Sequence, residues 1–260
     1  MDAKPKPEGP VPVTIRWLDP QLLSEGRFLE TGLSLLDDAE TARYQRLLPP
    51  EAKILFAAAH ILLRLTLSER YPLPPRDWRF ETNDHGKPRV AHGLLPDPPH
   101  FNLAHTPGLA ILGLAPVPLG VDAEYTRREV RSMESLARAF FSPVEAEELA
   151  ALAEPTRTRR FFEIWTLKEA YLKAGGVGMA EGLSHFHFRM EGESATIVFD
   201  RDERPRETPE WWFRSLRLVR DWQIALAIPA GGLPVMLSDS DATPFVRQRL
   251  LELRVHGGGS

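Results

Sequence analysis

The segment FFEIWTLKEAYLKAGG, residues Phe161–Gly176, lies inside the strongest helix pattern of the chain, which runs from about Thr156 to Ala174. At about 100° of rotation per residue, Trp165, Glu169 and Lys173 fall within roughly an 80° arc of one face. Lys168 lies about 60° to the other side of Trp165 on the same count. This face therefore offers an indole, a carboxylate and one or two ammonium groups. Glu169 and Lys173 alone could equally form a solvated i,i+4 pair.

An acidic pair precedes this helix in the segment LGVDAEY, residues Leu119–Tyr125. Residues two apart on a strand point to the same side, so Asp122 and Glu124 present paired carboxylates while Ala123 faces the packed side. Neighbouring carboxylates repel unless protons or a cation neutralise them, and a hard, oxygen-liganded ion such as Mg²⁺ is the natural partner. A solvated strand edge is the alternative for this pair taken by itself.

The rest of the chain predicts an α+β fold with helices and strands in each half. Helices are predicted at 35–47, at 51–70, from a capping box at Ser142 to about Leu152, and at 156–174. Strand patterns occur at 78–81, 100–104, 109–115, 119–124, 185–190, 195–199, 211–219 and 222–228. We therefore predict a disordered N-terminus over 1–10, similar α+β subdomains over 11–117 and 118–245, and a tail over 246–260.

Composition excludes several classes of protein. The formal net charge of −4 argues against a nucleic-acid binder, which needs a basic surface. The longest nearly apolar run, Leu109–Val121, is interrupted by two prolines and is too short to span a bilayer. Cysteine is absent, so disulfides and thiolate metal sites are excluded, and a cytoplasmic location is expected.

Four motifs in one order resemble the 4'-phosphopantetheinyl transferases, in their larger single-chain form. They are AAAHILLRLTLS, HGKPRV, FNLAHTPG, and GVDAE followed about forty residues later by WTLKEAYLKAGGVG. The resemblance implies two similar subdomains in a pseudo-twofold arrangement, with the active site between them, so that a monomer suffices. It also implies transfer of 4'-phosphopantetheine from coenzyme A to a serine of an apo acyl or peptidyl carrier protein, with release of 3',5'-ADP. Such carriers belong to peptide and polyketide synthases, hence to secondary metabolite biosynthesis, and to some fatty-acid synthases.

The resemblance also assigns roles around the reacting diphosphate. Asp122, Glu124 and Glu169 are expected to bind Mg²⁺, with Mn²⁺ as an alternative, and Asp122 to lie against coenzyme A. Glu169 is the expected general base, acting directly or through a metal-bound water. Lys173 is expected to contact coenzyme A and to stabilise charge that develops on its diphosphate.

The nucleotide end of coenzyme A needs anchors of its own. The resemblance assigns the 3'-phosphate to His105, and we expect Lys87 to act as a mobile point charge for phosphate, with Arg46 as a looser third candidate. Ala104 replaces the serine that commonly precedes this histidine in the family, and one lost hydroxyl contact costs about 0.5–1.5 kcal/mol if nothing replaces it. We expect structural roles for three further motif residues: Trp165, Phe101 and Asn102.

Two clusters of arginines flank the acidic pair and the helix. They could steer an acidic carrier protein towards the site, or simply form a solvated charged face. Their members are Arg127, Arg128, Arg131, Arg157, Arg159 and Arg160. Two other functions stay open from the residues alone: a metal-dependent phosphohydrolase, and a non-catalytic module that binds coenzyme A or a carrier protein.

Overall fold

The computed structural model describes residues 9–130, 132–175, 183–199, 209–219 and 221–257. Within these ranges the chain forms two larger β-sheets, one short hairpin and seven α-helices, which confirms the predicted α+β class. Four predicted features fall at least partly outside the described residues: most of the disordered N-terminus, Arg131 of the arginine clusters, the Gly176–Gly178 end of the last motif, and the last three residues of the tail.

The first sheet has four strands in the order β11-β1-β5-β4. Its strands are β1 (Val11–Leu18), β4 (His100–Thr106), β5 (Leu109–Ala115) and β11 (Val235–Asp241). Helix α3 (Pro50–Arg70) packs on this sheet, and most of its residues from Phe56 to Leu67 are buried. Pro50 suits the first position of this helix. Apolar residues on most of its faces explain its central place, as predicted from the sequence.

Smaller helices and a hairpin surround α3. Helix α1 (Phe28–Leu33) packs against α3, and α2 (Asp38–Arg46) begins with a capping box built by Asp37 and Glu40. The hairpin consists of β2 (Phe80–Thr82) and β3 (Pro88–Val90). It lies beside β4 and carries Lys87 in its turn.

The second sheet has five strands in the order β6-β10-β9-β8-β7 and is antiparallel throughout. Its strands are β6 (Gly120–Tyr125), β7 (Phe186–Glu191), β8 (Ser194–Phe199), β9 (Trp212–Val219) and β10 (Trp222–Ile228). Helix α6 (Thr156–Gly175) packs along β6 and β10. Two shorter helices, α4 (Met133–Phe140) and α5 (Pro143–Ala150), precede α6, and α5 has the predicted capping box of Ser142 and Glu145.

Strands β4 and β6 meet where the two sheets face each other, and side chains rather than a backbone ladder join them. The Asn102 side chain accepts a hydrogen bond from the Val121 N–H at 2.8 Å, and Thr106 Oγ1 accepts one from the Tyr125 N–H at 3.1 Å. Buried N–H groups need such partners. Asn102 therefore has the predicted structural role, at the junction of the two halves.

The C-terminal part of the chain departs from the predicted division. Strand β11 pairs in parallel with β1, residue for residue from Val11 opposite Val235 to Trp17 opposite Asp241. Residues 235–241, assigned to the second subdomain, thus belong to the first sheet. Residues 243–257 form helix α7 (Thr243–Gly257), most of which was predicted as a tail, and its buried Val246 and Leu250 join the first core. No helix in the described ranges is long and apolar enough to cross a membrane.

Candidate active site

The crossing of helix α6 over strand β6 brings the acidic pair to the helix. Gly120 is the contact point: a Cβ at this position would lie 1.9 Å from the Ala170 carbonyl oxygen and 2.5 Å from the Ala174 nitrogen. Only a residue without a side chain allows so close an approach. Asp122 and Glu124 follow at two-residue steps on the same side of β6, so they point towards α6 beside Glu169 and Lys173.

Asp122 and Lys173 form an ion pair across this crossing. Lys173 Nζ donates to Asp122 Oδ1 at 2.6 Å, and the Asp122 residue is only 7% exposed. Burial raises the pKa of Asp122, while the Lys173 ammonium opposes that rise. The prediction that Ala123 faces the packed side is confirmed, but the carboxylate side is packed too, because α6 covers it.

Glu124 is half-buried and paired with Arg128. Arg128 Nη2 donates to Glu124 Oε1 at 2.9 Å, and the guanidinium carbon lies 5.6 Å from the centre of the Phe162 ring. Loss of hydration and the negative charge of Asp122 raise the pKa of Glu124 to about 7, even though Arg128 and Lys173 oppose the shift. From the sequence, Arg128 was predicted only as a member of an arginine cluster, and this contact was not expected.

Glu169 completes the acidic group from the helix side. Burial and the negative charge of Asp122 raise the pKa of Glu169, and Lys173 lowers it. The negative charge of Glu169 in turn raises the pKa of Glu124. The three carboxyl groups therefore act on one another electrostatically around Lys173, and a raised pKa brings a carboxylate closer to the value useful for a general base at neutral pH.

The carboxyl oxygens of Asp122, Glu124 and Glu169 are the donor atoms that would bind a divalent cation. Across the described ranges, no three histidine, cysteine, aspartate or glutamate side chains have the spacing of a preformed metal site. One buried oxygen, Asp122 Oδ2, nevertheless has no hydrogen-bond partner in the part of the chain that the structure describes. Three neighbouring carboxylates with such an oxygen suit a hard cation, which would replace or share the contacts of Lys173 and Arg128.

His105 lies at the end of β4 with its side chain exposed. Partial loss of hydration and the positive charge of Lys173 lower its pKa, and the charges of His60 and Arg43 lower it further. Arg43 also stacks over Phe56, with its guanidinium carbon 5.6 Å from the ring centre. Side chains from three helices therefore act electrostatically on His105, and one of them, His60, also has its Nδ1 2.7 Å from Glu40 Oε1. Arg43 and His60 were not among the residues predicted from the sequence.

Arg46 and Ala104 are two further residues that were expected to affect the binding of coenzyme A. Arg46 is exposed at the end of α2, where a basic residue suits the helix dipole, and the structure does not test its proposed contact with coenzyme A. Ala104 is buried in an apolar cluster with Val121 and Ala123, whereas His105 is exposed. Because adjacent strand residues point to opposite sides, a hydroxyl at position 104 would point into this cluster.

Lys87 makes two hydrogen bonds that the sequence did not predict. Its Nζ donates to the carbonyl oxygens of Leu119 and Ala174, each at 3.1 Å. Burial lowers the pKa of Lys87 to about 8. Binding of phosphate by Lys87 stays a prediction, because a lysine ammonium has a third N–H to donate.

Lys168 lies away from the three carboxyl groups. Of the two lysines predicted on this face of α6, only Lys173 therefore places an ammonium group beside them. Lys168 is 1% exposed, pairs with Glu145 at 2.9 Å, and donates to the carbonyl oxygens of Leu183 and Phe186. Trp165 packs against Phe161 with ring centres 5.8 Å apart, in keeping with the predicted structural role.

Most of the described arginines in the two clusters, here called the arginine rim, have acidic partners. Arg127 pairs with Asp221 at 2.6 Å, and Arg160 lies 3.6 Å from Glu163. Arg157 lies 3.7 Å from Glu134 and donates to the Leu152 carbonyl oxygen at 2.7 Å. Arg159 is exposed at the start of α6. Steering of a partner protein by this rim stays a prediction.

Comparison with known proteins places these residues in a family. The family model of the 4'-phosphopantetheinyl transferase superfamily matches residues 118–227, a range that contains β6 and α6. The 4'-phosphopantetheinyl transferase HetI of Nostoc sp. is 34% identical over 83% of this chain and 86% of its own length. The 4'-phosphopantetheinyl transferase Sfp of Bacillus subtilis is 35% identical over 53% of this chain and 59% of its own. A phosphopantetheinyl transferase of Thraustochytrium sp. is 31% identical over 75% of this chain and 68% of its own. The chain therefore belongs to the 4'-phosphopantetheinyl transferase superfamily.

Proposed function

We propose how this chain carries out the transfer for which its family is named, from coenzyme A to the serine of an apo acyl or peptidyl carrier protein. The observation that carries the proposal is the Lys173–Asp122 pair across the α6–β6 crossing, with Glu169 one helical turn before Lys173. A base, a cation and an acidic group thus stand together where a diphosphate would react.

The chemistry is a phosphoryl-group transfer. The carrier serine oxygen attacks the β-phosphorus of coenzyme A, the bond from that phosphorus to the bridging oxygen breaks, and 3',5'-ADP leaves. Glu169 takes the serine proton, a role that its raised pKa supports. Lys173 donates to the diphosphate oxygens as negative charge shifts towards the leaving phosphate.

Asp122, Glu124 and Glu169 are the residues that would hold Mg²⁺, or Mn²⁺ in its place. Asp122 Oδ2, which has no hydrogen-bond partner among the described residues, supports this assignment. When bound, the ion supplies neutralisation of the charge on the diphosphate. Arg128 and Lys173 already neutralise two of these carboxylates, so they limit the repulsion among the three.

The nucleotide end is assigned to the cationic group around His105. Arg43 and His60 come from different elements and both act electrostatically on His105, which suits a site for the separate 3'-phosphate of coenzyme A. Arg46 and the third N–H of Lys87 remain further candidates for this end. This assignment predicts discrimination between coenzyme A and its analogue without the 3'-phosphate.

The partner and setting follow from the same chemistry. Carrier proteins of this class are acidic helical proteins, and two exposed arginines would attract them: Arg128, which pairs with Glu124, and Arg159 at the start of α6. Both halves of one chain surround the proposed site, so we propose that a monomer is active, in the cytoplasm. A role in peptide or polyketide synthesis depends on which carrier is modified.

The deciding experiment incubates the full chain with coenzyme A, Mg²⁺ and a panel of apo acyl and peptidyl carrier proteins. Mass spectrometry should show one carrier gaining the mass of phosphopantetheine, and its serine-to-alanine variant gaining nothing. Release of 3',5'-ADP without any carrier present would instead indicate a phosphohydrolase. Binding of coenzyme A with neither product would indicate a non-catalytic module.

A further inference from the structure

Lys87 ties together three separate parts of the chain. Its side chain starts in the β2–β3 hairpin, and its Nζ donates to the Leu119 carbonyl oxygen, just before β6, and to the Ala174 carbonyl oxygen in the last turn of α6. Both bonds measure 3.1 Å. Leu119 and Ala174 flank the closest point of the α6–β6 crossing, where Gly120 meets Ala170 and Ala174.

The hairpin holds the base of this side chain rigidly. Asn83 Oδ1 accepts from the backbone N–H of Lys87 at 2.8 Å, and the Asn83 N–H donates to the Lys87 carbonyl oxygen at 3.0 Å. Gly86 has φ +79°, a conformation that glycine adopts without strain, and Pro88 fixes the next φ. A long side chain on a fixed base loses less freedom when its end is bound.

The two acceptors suit an ammonium group. Ala174 lies in the last turn of α6, where carbonyl oxygens lack helical partners and the helix dipole is negative. The Leu119 carbonyl oxygen precedes the first residue of β6. One partly buried cation thus satisfies acceptors on both crossing elements, and its desolvation is partly offset by these two bonds.

Lys87 and Lys173 both connect α6 with β6, or with the residue just before it, at the point where the two elements cross. Lys173 is the residue before Ala174 and pairs with Asp122, two residues after Gly120. A shift of α6 along β6 would therefore lengthen the Lys87 hydrogen bonds and, at the same time, move Lys173 away from Asp122.

We propose that Lys87 is a positioning residue, which fixes the register of α6 on β6 and thereby places Lys173 and Glu169 against Asp122. The inference rests on the proposed function, since it explains how the reacting groups are held. It differs from the expectation of a phosphate anchor, because a positioning residue acts through the rate of the chemical step. An anchor would act through the binding of coenzyme A.

The test compares Lys87→Met with wild type, using coenzyme A, Mg²⁺ and an apo carrier that wild type modifies. Methionine keeps a similar length and removes the donors. We expect kcat to fall about tenfold or more, since small displacements of reacting groups are costly, with the KM for coenzyme A changed less than threefold. Arg89→Met is the matched control, because Arg89 lies in the same hairpin, is exposed and pairs only with exposed Glu81 in the described ranges. It should behave as wild type.

A second measurement needs no substrate. Hydrogen–deuterium exchange of the backbone amides in 168–174 should be faster in Lys87→Met than in wild type and in Arg89→Met. Should Lys87→Met not fold, Lys87→Gln takes its place in both measurements. A KM that rises more than kcat falls, or kinetics and exchange equal to wild type, overturns the proposal. If wild type modifies no carrier, the proposed function fails, and exchange alone still decides the structural part.

Discussion

Lys173 Nζ lies 2.6 Å from Asp122 Oδ1 and joins the last turn of α6 to the strand that carries the acidic pair. The pair forms only because Gly120 lets the helix backbone contact the strand. The reacting groups therefore depend on a packing detail as well as on their own chemistry. The following predictions test both.

Glu169→Gln should abolish most transfer while coenzyme A still binds. The amide cannot accept the serine proton, and a general base contributes about 10²–10⁴-fold to a rate. Mass spectrometry of the carrier measures turnover, and calorimetry measures binding of coenzyme A. Glu163→Gln, on the same helix beside Arg160, is the matched control and should stay near wild type. Near-normal turnover by Glu169→Gln would refute the assignment.

Gly120→Ala should destabilise the protein and separate α6 from β6. The added Cβ would lie 1.9 Å from the Ala170 carbonyl oxygen, and backbone atoms cannot yield as a flexible side chain can. Overpacking of this kind costs about 1–3 kcal/mol or more. Thermal unfolding should show a lower midpoint, with loss of transfer at temperatures where the fold survives. Gly9→Ala serves as the control, because an added Cβ there would have no atom of the described residues within 4 Å. An unchanged midpoint would contradict the close crossing.

Stabilisation by Mg²⁺ should be greater at pH 8 than at pH 6. The pKa of Glu124 in the folded protein is about 7, above its ordinary value of 4.5, so between these values the folded protein holds the proton more tightly. Glu124 therefore lowers the free energy of unfolding as pH rises from about 4.5 to 7 when no cation is bound. A cation that binds the ionised form recovers that loss above pH 7.

The measurement for this prediction is the thermal midpoint with EDTA and with Mg²⁺ at both pH values. In Glu124→Gln the difference between the two pH values should shrink, since the titrating group is gone. Equal stabilisation by Mg²⁺ at pH 6 and pH 8 in wild type would count against Glu124 as a ligand.

Asn102→Ala should weaken the junction between the two sheets. The Val121 N–H would lose its partner at a buried position, which costs about 1–3 kcal/mol. Chemical denaturation measures the change in unfolding free energy. Gln45→Ala, at an exposed position of α2, is the control and should have little effect. If Asn102→Ala were as stable as the control, the junction would not depend on this side chain.

Local sequence patterns predicted the elements that carry the site, because those elements have local causes. The capping box of α5, the long apolar α3 and the 3.6-residue pattern of α6 depend on residues close in sequence. The period of two in β6 put Asp122 and Glu124 on one side, and the structure brings Glu169 and Lys173 to that side.

Most of what the sequence did not predict depends on distant residues. Strands β1 and β11 pair although more than 200 residues separate them. The alternation of Val11, Val13, Ile15 and Trp17 is a local strand signal that the predicted strands omitted, but no local pattern shows that the partner of β1 is β11. The burial of Lys168 against Glu145, and the contacts of Lys87 with two carbonyl oxygens, likewise arise from packing. The position of a charged residue on a helix face does not predict whether its side chain will contact solvent or a group from another element.

The parallel pairing of β1 with β11 has a consequence for the order of folding during synthesis. β5 can pair with β1 once Ala115 has left the ribosome, yet the other edge of β1 stays open until β11 emerges. An open strand edge invites pairing with other chains. The nascent protein is therefore most exposed to aggregation between these two events, and the second sheet is synthesised entirely within that interval.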